Sequence, residues 1–186
     1  QRILATSFGV EVLNLENSAI NDQKAKILAN KLWPNLRSLV LNNNDLTDKG
    51  IEILAAQRWP KLARLELIKN KLSKESIKHI ATGKWPLLCE LSLLLSQEMA
   101  VEFASYKWSI LSELNVLSDG PLNIEALSQI EFPNLISLKL YRVGIDDKQL
   151  LMLKPEKIPY LTKLNLKGNA ITDAGLIQFA SKNWEN

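Results

Sequence analysis

Apolar residues recur along the chain in a fixed frame, Leu-x-x-Leu-x-Leu, in which the fourth and sixth positions are almost always leucine. The frames begin at residues 10, 36, 62, 88, 111, 135 and 161, so successive frames are 26, 26, 26, 23, 24 and 26 residues apart. Seven copies in register are hard to obtain by chance, and the pattern therefore indicates a repeat architecture. The first, fourth and sixth positions are Val10/Leu13/Leu15, Leu36/Leu39/Leu41, Leu62/Leu65/Leu67, Leu88/Leu91/Leu93, Leu111/Leu114/Val116, Leu135/Leu138/Leu140 and Leu161/Leu164/Leu166.

Each repeat changes its apolar period halfway along. In Leu39-Val40-Leu41 the leucines alternate with another residue, which is the period of a β-strand. A further apolar residue follows the frame, and apolar residues then recur five, eight and nine positions later, as in Ile51, Leu54 and Ala55. That spacing puts them on one face of a helix. The residues that follow the frame in this way are Ile20, Leu46, Leu72, Ile145 and Ile171.

One strand and one helix cannot bury the leucines of a repeat, but stacked repeats can shield one another. We therefore expect an α/β solenoid of about seven repeats, with a curved parallel sheet on its concave face and helices on its convex face. Thr47-Asp48, Asp146-Asp147 and Thr172-Asp173 each provide an N-cap and an acidic first turn, and they mark where helices begin. Trp33, Trp59 and Trp85 recur every 26 residues at repeat boundaries, where we expect them to pack.

The run from Trp33 to Gly50, Trp-Pro-Asn-Leu-Arg-Ser-Leu-Val-Leu-Asn-Asn-Asn-Asp-Leu-Thr-Asp-Lys-Gly, resembles the ribonuclease-inhibitor-like class of leucine-rich repeats. The 26-residue length with a full helix fits that class better than the shorter classes. The resemblance implies an arc that binds proteins on its strand face. The Trp-Pro-Asn-Leu opening is also similar to repeat arrays in effectors of intracellular and amoeba-associated bacteria.

Two repeats depart from the common pattern. The ninth frame position is Asn44, Asn70 and Asn169 in three repeats, but Ser18, Ser96, Asp119 and Val143 in the others. Repeats four and five are three and two residues short. We expect their helices to bury shifted residues, namely Ala100, Phe103 and Ala104 in repeat four and Ile124 and Leu127 in repeat five. Ordinary drift would explain the shortening, and so would a change of local shape that serves binding.

The seventh frame position should point away from the core, because strand side chains alternate. It is occupied by Glu16, Asn42, Ile68, Leu94, Leu117, Tyr141 and Lys167. Four consecutive apolar residues, Ile68, Leu94, Leu117 and Tyr141, with Leu95 beside them, would form an exposed stripe of the kind that marks an interaction site. Two alternatives stay open: a segment missing from this chain covers the stripe, or the irregular repeats turn Leu94 and Leu117 inward.

Charge is graded along the same predicted face. The early and middle strands carry Glu11, Glu16, Glu66, Glu90 and Glu113 with few cations, whereas the late strands carry Lys139, Arg142, Lys163 and Lys167. A basic end beside an apolar stripe would suit a protein with an acidic segment. Alternatively, it is an ordinary soluble surface. The net charge of +3 gives no reason to expect a nucleic-acid or membrane partner.

Residues for catalysis or metal binding are scarce. His79 and Cys89 are the only histidine and cysteine, so no Cys/His zinc set can be built, and we expect the two to lie on different faces. We predict no catalytic residue, no metal, no cofactor and no enzyme activity of the chain by itself. A lone cysteine fits a reducing compartment, such as the cytoplasm of the producing cell or of a host.

The sequence thus predicts one domain over residues 1–186 that binds a protein, and a candidate role is the targeting part of a secreted bacterial effector. The alternatives are the recognition domain of a larger enzyme or ligase and a purely structural spacer. We expect the natural chain to continue past Asn186 and before Gln1, because no polar cap closes either end. The consequence would be an exposed apolar edge at Leu13, Leu166 and Phe179.

Overall fold

The computed structural model describes residues 9–182 and residue 184, and the expected extensions of the chain lie outside them. Seven strands pair in parallel, in the order in which they occur along the chain. This arrangement confirms the predicted repeat fold. The strands are β1 (Val12–Asn14), β2 (Ser38–Val40), β3 (Arg64–Glu66), β4 (Glu90–Leu94), β5 (Glu113–Leu117), β6 (Ser137–Tyr141) and β7 (Lys163–Asn165).

One helix follows each strand, as predicted. The helices of repeats five and six have only four residues, and a 3-10 turn over Pro155–Lys157 follows the helix of repeat six. The helices are α1 (Asp22–Ala29), α2 (Asp48–Ala55), α3 (Lys74–Ala81), α4 (Gln97–Ala104), α5 (Glu125–Ser128), α6 (Asp147–Leu150) and α7 (Asp173–Ala180). The chain divides into two compact units, residues 1–92 and 93–186, which are described separately below.

The strand register aligns equivalent leucines of neighbouring repeats. In the first unit Leu13 pairs with Leu39, Leu39 with Leu65 and Leu65 with Leu91. Leu39 and Leu65 are buried, and so are Ile51 and Leu54 of α2. The leucines therefore fill the space between the strands and the helices, and each repeat covers the apolar side of the next.

The ninth-position asparagines join each turn to the preceding repeat. Asn44 Oδ1 accepts hydrogen bonds from the backbone N–H groups of Ser18 and Ile20 at 3.0 and 2.9 Å, and its Nδ2 donates to Leu15 O at 2.8 Å. Asn169 bonds Val143 N, Ile145 N and Leu140 O in the same way. A buried amide thus satisfies backbone groups that the turn leaves without partners.

The shortened fourth repeat places Leu95 in the core. Leu95 stands immediately before Ser96, the N-cap of α4, just as Leu46 stands before the N-cap Thr47 of α2. Leu95 is 0% exposed, like Leu46. The prediction that Leu95 lies beside the outward stripe is therefore wrong, because the lost residues come from the turn and the helix begins directly after the strand.

The shifted helix residues of the short repeats are buried as predicted, with the exception of Ala104, which is partly exposed. In repeat five Leu122 takes the place that Leu95 holds in repeat four. It is buried, and its N–H donates to Val143 O at 2.7 Å. Both short repeats thus keep the apolar residue between strand and helix.

A second set of hydrogen bonds joins the starts of neighbouring helices. The first residue of α1, Asp22, accepts from the N–H and hydroxyl of Thr47 at 2.9 and 2.7 Å. Asp48 accepts from Ser73 at 2.8 and 2.6 Å, and Asp147 accepts from Thr172 at 2.8 and 2.6 Å. A side chain at Gly175 would collide with the Asp147 carboxylate, which explains a glycine inside the first turn of α7.

The last repeat is less buried than the interior ones. Leu166 and Phe179 are partly exposed, and Leu176 is 53% exposed, whereas its equivalent Ile51 is fully buried. Leu13 in the first repeat is also partly exposed. The three residues of the predicted apolar edge, Leu13, Leu166 and Phe179, are thus all partly exposed.

The register makes a stability prediction for the first unit. Replacement of Leu65 by alanine should lower the free energy of unfolding by about 2–5 kcal/mol, because a cavity opens between the matching leucines of β2 and β4. Replacement of the outward Ser38 by alanine should change it by less than about 0.5 kcal/mol. Denaturant unfolding measures both, and equal losses would show that the inward and outward positions are misassigned.

The hydrogen bonds at the helix starts predict that the stability of the protein depends on pH. Burial alone would raise the pKa of Asp48, but the hydrogen bonds from Ser73 and Ser76 outweigh it and lower the pKa of the folded state. A lowered pKa stabilises the folded protein above the unfolded value, near 4, and this contribution is lost as pH falls through the folded pKa. As the pH falls from about 6 to about 3, the free energy of unfolding of Asp48→Asn should therefore decrease less than that of the wild type.

Asp173→Asn provides the matched control. Asp173 holds the same first helical position in α7, and within the described residues no N-cap hydroxyl bonds its carboxylate. In urea unfolding, the free energy of unfolding of this variant should decrease with falling pH as much as that of the wild type. If Asp48→Asn kept it as well, the Asp48 hydrogen bonds would contribute nothing to acid stability.

Candidate functional site

We call the side of the sheet turned away from the helices the open face. Residues of the third, fifth and seventh frame positions occupy it. In the second unit, the register sets them in three rows across β5, β6 and β7. The rows are Glu113–Ser137–Lys163, Asn115–Lys139–Asn165, and Leu117–Tyr141 followed by Lys167.

The apolar part of the predicted site forms within the second unit. Leu94, Leu117 and Tyr141 are each partly exposed, so the irregular repeats do not turn Leu94 and Leu117 into the core. Leu95 N donates to Leu117 O at 2.8 Å, which sets Leu94 beside Leu117, and Leu117 pairs with Tyr141. Leu95 itself is buried and cannot contact a partner on this face.

The four predicted cations differ in their surroundings. Lys139 Nζ lies 2.5 Å from Glu113 Oε1, and the two side chains are 34% and 31% exposed. Arg142, Lys163 and Lys167 are exposed, and in the part of the chain that the structure describes no ion pair includes them. This end of the open face therefore carries an uncompensated positive charge.

An open depression brings the apolar and basic residues together. It is lined by Leu117, Tyr141, Arg142, Asn165 and Lys167. Asn165 Nδ2 donates to the Tyr141 hydroxyl at 3.1 Å, which orients the ring. The backbone of Arg142 has a φ of +51°, which lies in the left-handed region, and the strand ends at the preceding residue, Tyr141. The Arg142 side chain lines the rim of the depression.

Gly168 allows Arg142 to take this position. A Cβ atom at residue 168 would lie 2.7 Å from Arg142 Cγ, and Gly168 itself has a φ of +79°. Any other residue would be strained in its backbone and would also displace the arginine stem. Glycine at this point thus lets the turns of repeats six and seven pack closely.

On the open face of the first unit, the charged side chains bond side chains of the same unit. Glu66 Oε1 accepts from Arg64 at 2.5 Å, and Glu66 Oε2 accepts from Asn42 Nδ2 at 2.6 Å. Arg64 also lies 3.6 Å from Glu90. Ile68, the fourth residue of the predicted stripe, is partly exposed in this unit.

Three residues of the site were not predicted in their roles. The sequence places Glu113 on an acidic strand, but its carboxylate pairs with Lys139 of the basic end, and the sequence pattern indicates no role for Asn165 or Ser137. Ser137 is 4% exposed although it stands on the open face, and its Oγ forms no hydrogen bond with any described residue. The frame positions alone place all three on this face. The ion pair and the burial depend on side-chain conformations that a frame does not specify.

The tryptophans serve packing, as predicted. Trp33, Trp59, Trp85 and Trp108 are all buried. Trp108 stacks on Phe103 with ring centroids 4.2 Å apart, and its Nε1 donates to Phe103 O. Rings enclosed in this way offer no flat surface on which a nucleic-acid base could stack.

Over the residues that the structure describes, no three His, Cys, Asp or Glu side chains are grouped as a metal site would require. His79 and Cys89 are partly buried and belong to α3 and to the start of repeat four. Among the described residues, no helix has the length and apolar character needed to cross a bilayer.

Comparison with known families identifies two of the repeats. A family model described as Leucine Rich repeat matches residues 34–55 and residues 157–180, which lie in the second and seventh repeats. No curated protein matches the chain. The other five repeats share the frame and the parallel strand register of those two. The chain therefore folds as a leucine-rich-repeat solenoid, and two of its repeats match that family.

Proposed function

We propose that the open face of the second unit binds another protein, through a segment that combines an apolar side chain with acidic ones. The observation that supports this most strongly is the depression in which Leu117 and Tyr141 lie beside Arg142 and Lys167. Leucine-rich-repeat proteins generally bind proteins, and side chains that the fold does not need in its core are free to contact a partner.

The apolar residues and the cations would contribute differently. If Leu94, Leu117 and Tyr141, which are only partly exposed, each buried about 50 Å², the gross gain would be roughly 1.3 kcal/mol apiece, or about 4 kcal/mol together. Loss of translational and rotational freedom opposes association by about 4–15 kcal/mol. The apolar contacts alone would therefore give weak binding, and the unpaired cations would select an acidic partner and speed its association.

We further propose that the repeats belong to the ribonuclease-inhibitor-like class. Repeats one to three are each 26 residues long, and their helices α1, α2 and α3 each have eight residues, which supports a full helix in the common repeat. With the Trp-Pro-Asn-Leu opening at residues 33–36, this makes the targeting part of a secreted bacterial effector the role to test first. A recognition domain of a larger enzyme or ligase would use the same face.

An affinity capture can test the site. The double variant Leu117→Asp, Tyr141→Ala should lose captured proteins that the wild type retains, because it places a negative charge where an acidic segment binds and removes the aromatic contact. Val101→Asp is the matched control, since Val101 is 56% exposed on helix α4 of the same unit. It should capture the same proteins as the wild type.

Both variants should first be shown to unfold at a similar temperature to the wild type. The proposal would be contradicted if the double variant retained the same partners in the same amounts. It would also be contradicted if Val101→Asp alone abolished their capture, because the partner would then contact the helices.

A further inference from the structure

Ser137 is an unusual residue for the open face. It holds the third frame position of β6, where the side chain points away from the leucine core, yet it is 4% exposed. Its hydroxyl forms no hydrogen bond with any residue that the structure describes. A hydroxyl that has lost water without gaining a partner destabilises the free protein, so its position calls for an explanation.

Longer side chains surround Ser137. By register, Glu113 of β5 and Lys163 of β7 flank it directly, and Lys139 follows two residues later on the same face. Glu113 is directly opposite Ser137 in the register, but its carboxylate accepts from Lys139 Nζ at 2.5 Å. An ion pair with each side chain about one-third exposed is held weakly, since water competes for both charges.

We propose that a carboxylate of the bound partner opens this ion pair and takes its place. The incoming carboxylate would accept hydrogen bonds from the Ser137 hydroxyl and from Lys139, with Lys163 beside it, and Glu113 would turn to solvent. We call Ser137, Lys139 and Lys163 the carboxylate subsite. This inference rests on the proposed function, and it names the point at which an acidic side chain of the partner docks.

The charges favour a carboxylate over a cation here. Glu113, Lys139 and Lys163 carry a net charge of +1 before binding, and one carboxylate would bring this group to neutrality. Arg142 and Lys167 leave further positive charge at the rim of the neighbouring depression. A lysine or arginine of a partner would instead meet an excess of like charge, which disfavours that alternative.

The spacing also predicts the form of the ligand. Ser137, four residues before Tyr141 on β6, lies within reach of a long acidic side chain placed at Lys139, and Lys139 and Tyr141 are two residues apart, which is about 7 Å along a strand. An extended partner segment has the same spacing between residues i and i+2. It would therefore set an acidic residue on the carboxylate subsite and an apolar residue on Leu117 and Tyr141, in the pattern acidic-x-apolar.

The test uses a blocked peptide of repeated Glu-Ser-Leu-Ser units, titrated into the full chain and followed by amide chemical shifts. A peptide with Gln in place of every Glu is its control. For Ser137→Ala we expect opposite effects on stability and binding. The melting temperature of the free protein should rise by about 2–4 °C, because the buried hydroxyl is removed. The affinity for the Glu peptide should fall roughly tenfold, because a hydrogen bond to a charged group is lost.

Two further variants complete the design. Glu113→Gln should tighten binding of the Glu peptide several-fold, because Lys139 is released from its competitor. Ser38→Ala, at the same frame position of β2 in the first unit, should change neither the melting temperature nor the affinity.

The outcomes separate this inference from the proposed function. If Ser137→Ala and Glu113→Gln left the affinity unchanged while Leu117→Asp still abolished binding, the carboxylate subsite would be refuted and the protein-binding face would stand. If the Glu peptide produced no saturable shifts at Lys163 and Tyr141, or if the Gln peptide bound equally well, an acidic partner at this face would be refuted as well.

Discussion

The structure depends on a constraint that no single repeat can meet. A strand of three to five residues with one short helix exposes one side of its leucines to water unless another repeat covers it. Neighbouring repeats must therefore hold the same register, as Leu39, Leu65 and Leu91 do in the first unit and Leu114 and Leu138 do in the second. The asparagines of the turns and the aspartates of the helix starts maintain that register, because each bonds backbone groups of an adjacent repeat.

The same constraint leaves the open face free for function. Residues that alternate with the leucines contribute little to the core, and the two units use them differently. In the first unit Glu66, Arg64 and Asn42 bond one another. In the second unit Arg142, Lys163 and Lys167 stand without ion-pair partners among the described residues, next to Leu117 and Tyr141. The charged groups of the first surface are engaged with one another, whereas the second surface offers cations without ion-pair partners together with apolar contact.

Much of the fold and of the open face could be predicted from the sequence, because the leucine frame specifies strand positions and the capping residues specify helix starts. Leu95 shows where the frame was misleading. Its place beside Leu94 suggested an outward residue, but Ser96 immediately afterwards is an N-cap, and the apolar residue before an N-cap is buried in the core of repeats two and six too. The pair of Glu113 with Lys139 and the enclosed hydroxyl of Ser137 could not be predicted, since both depend on which way long side chains turn across neighbouring strands.

The central claim is that partners bind on the strands of the second unit and leave the helices free. Hydrogen–deuterium exchange of the protein with and without a captured partner tests it most directly. Added protection should appear in peptides that cover Glu113–Leu117, Ser137–Tyr141 and Lys163–Asn165, and exchange over α4 (Gln97–Ala104) should not change. Protection confined to α4 and α7, with unchanged exchange over the three strands, would contradict the account.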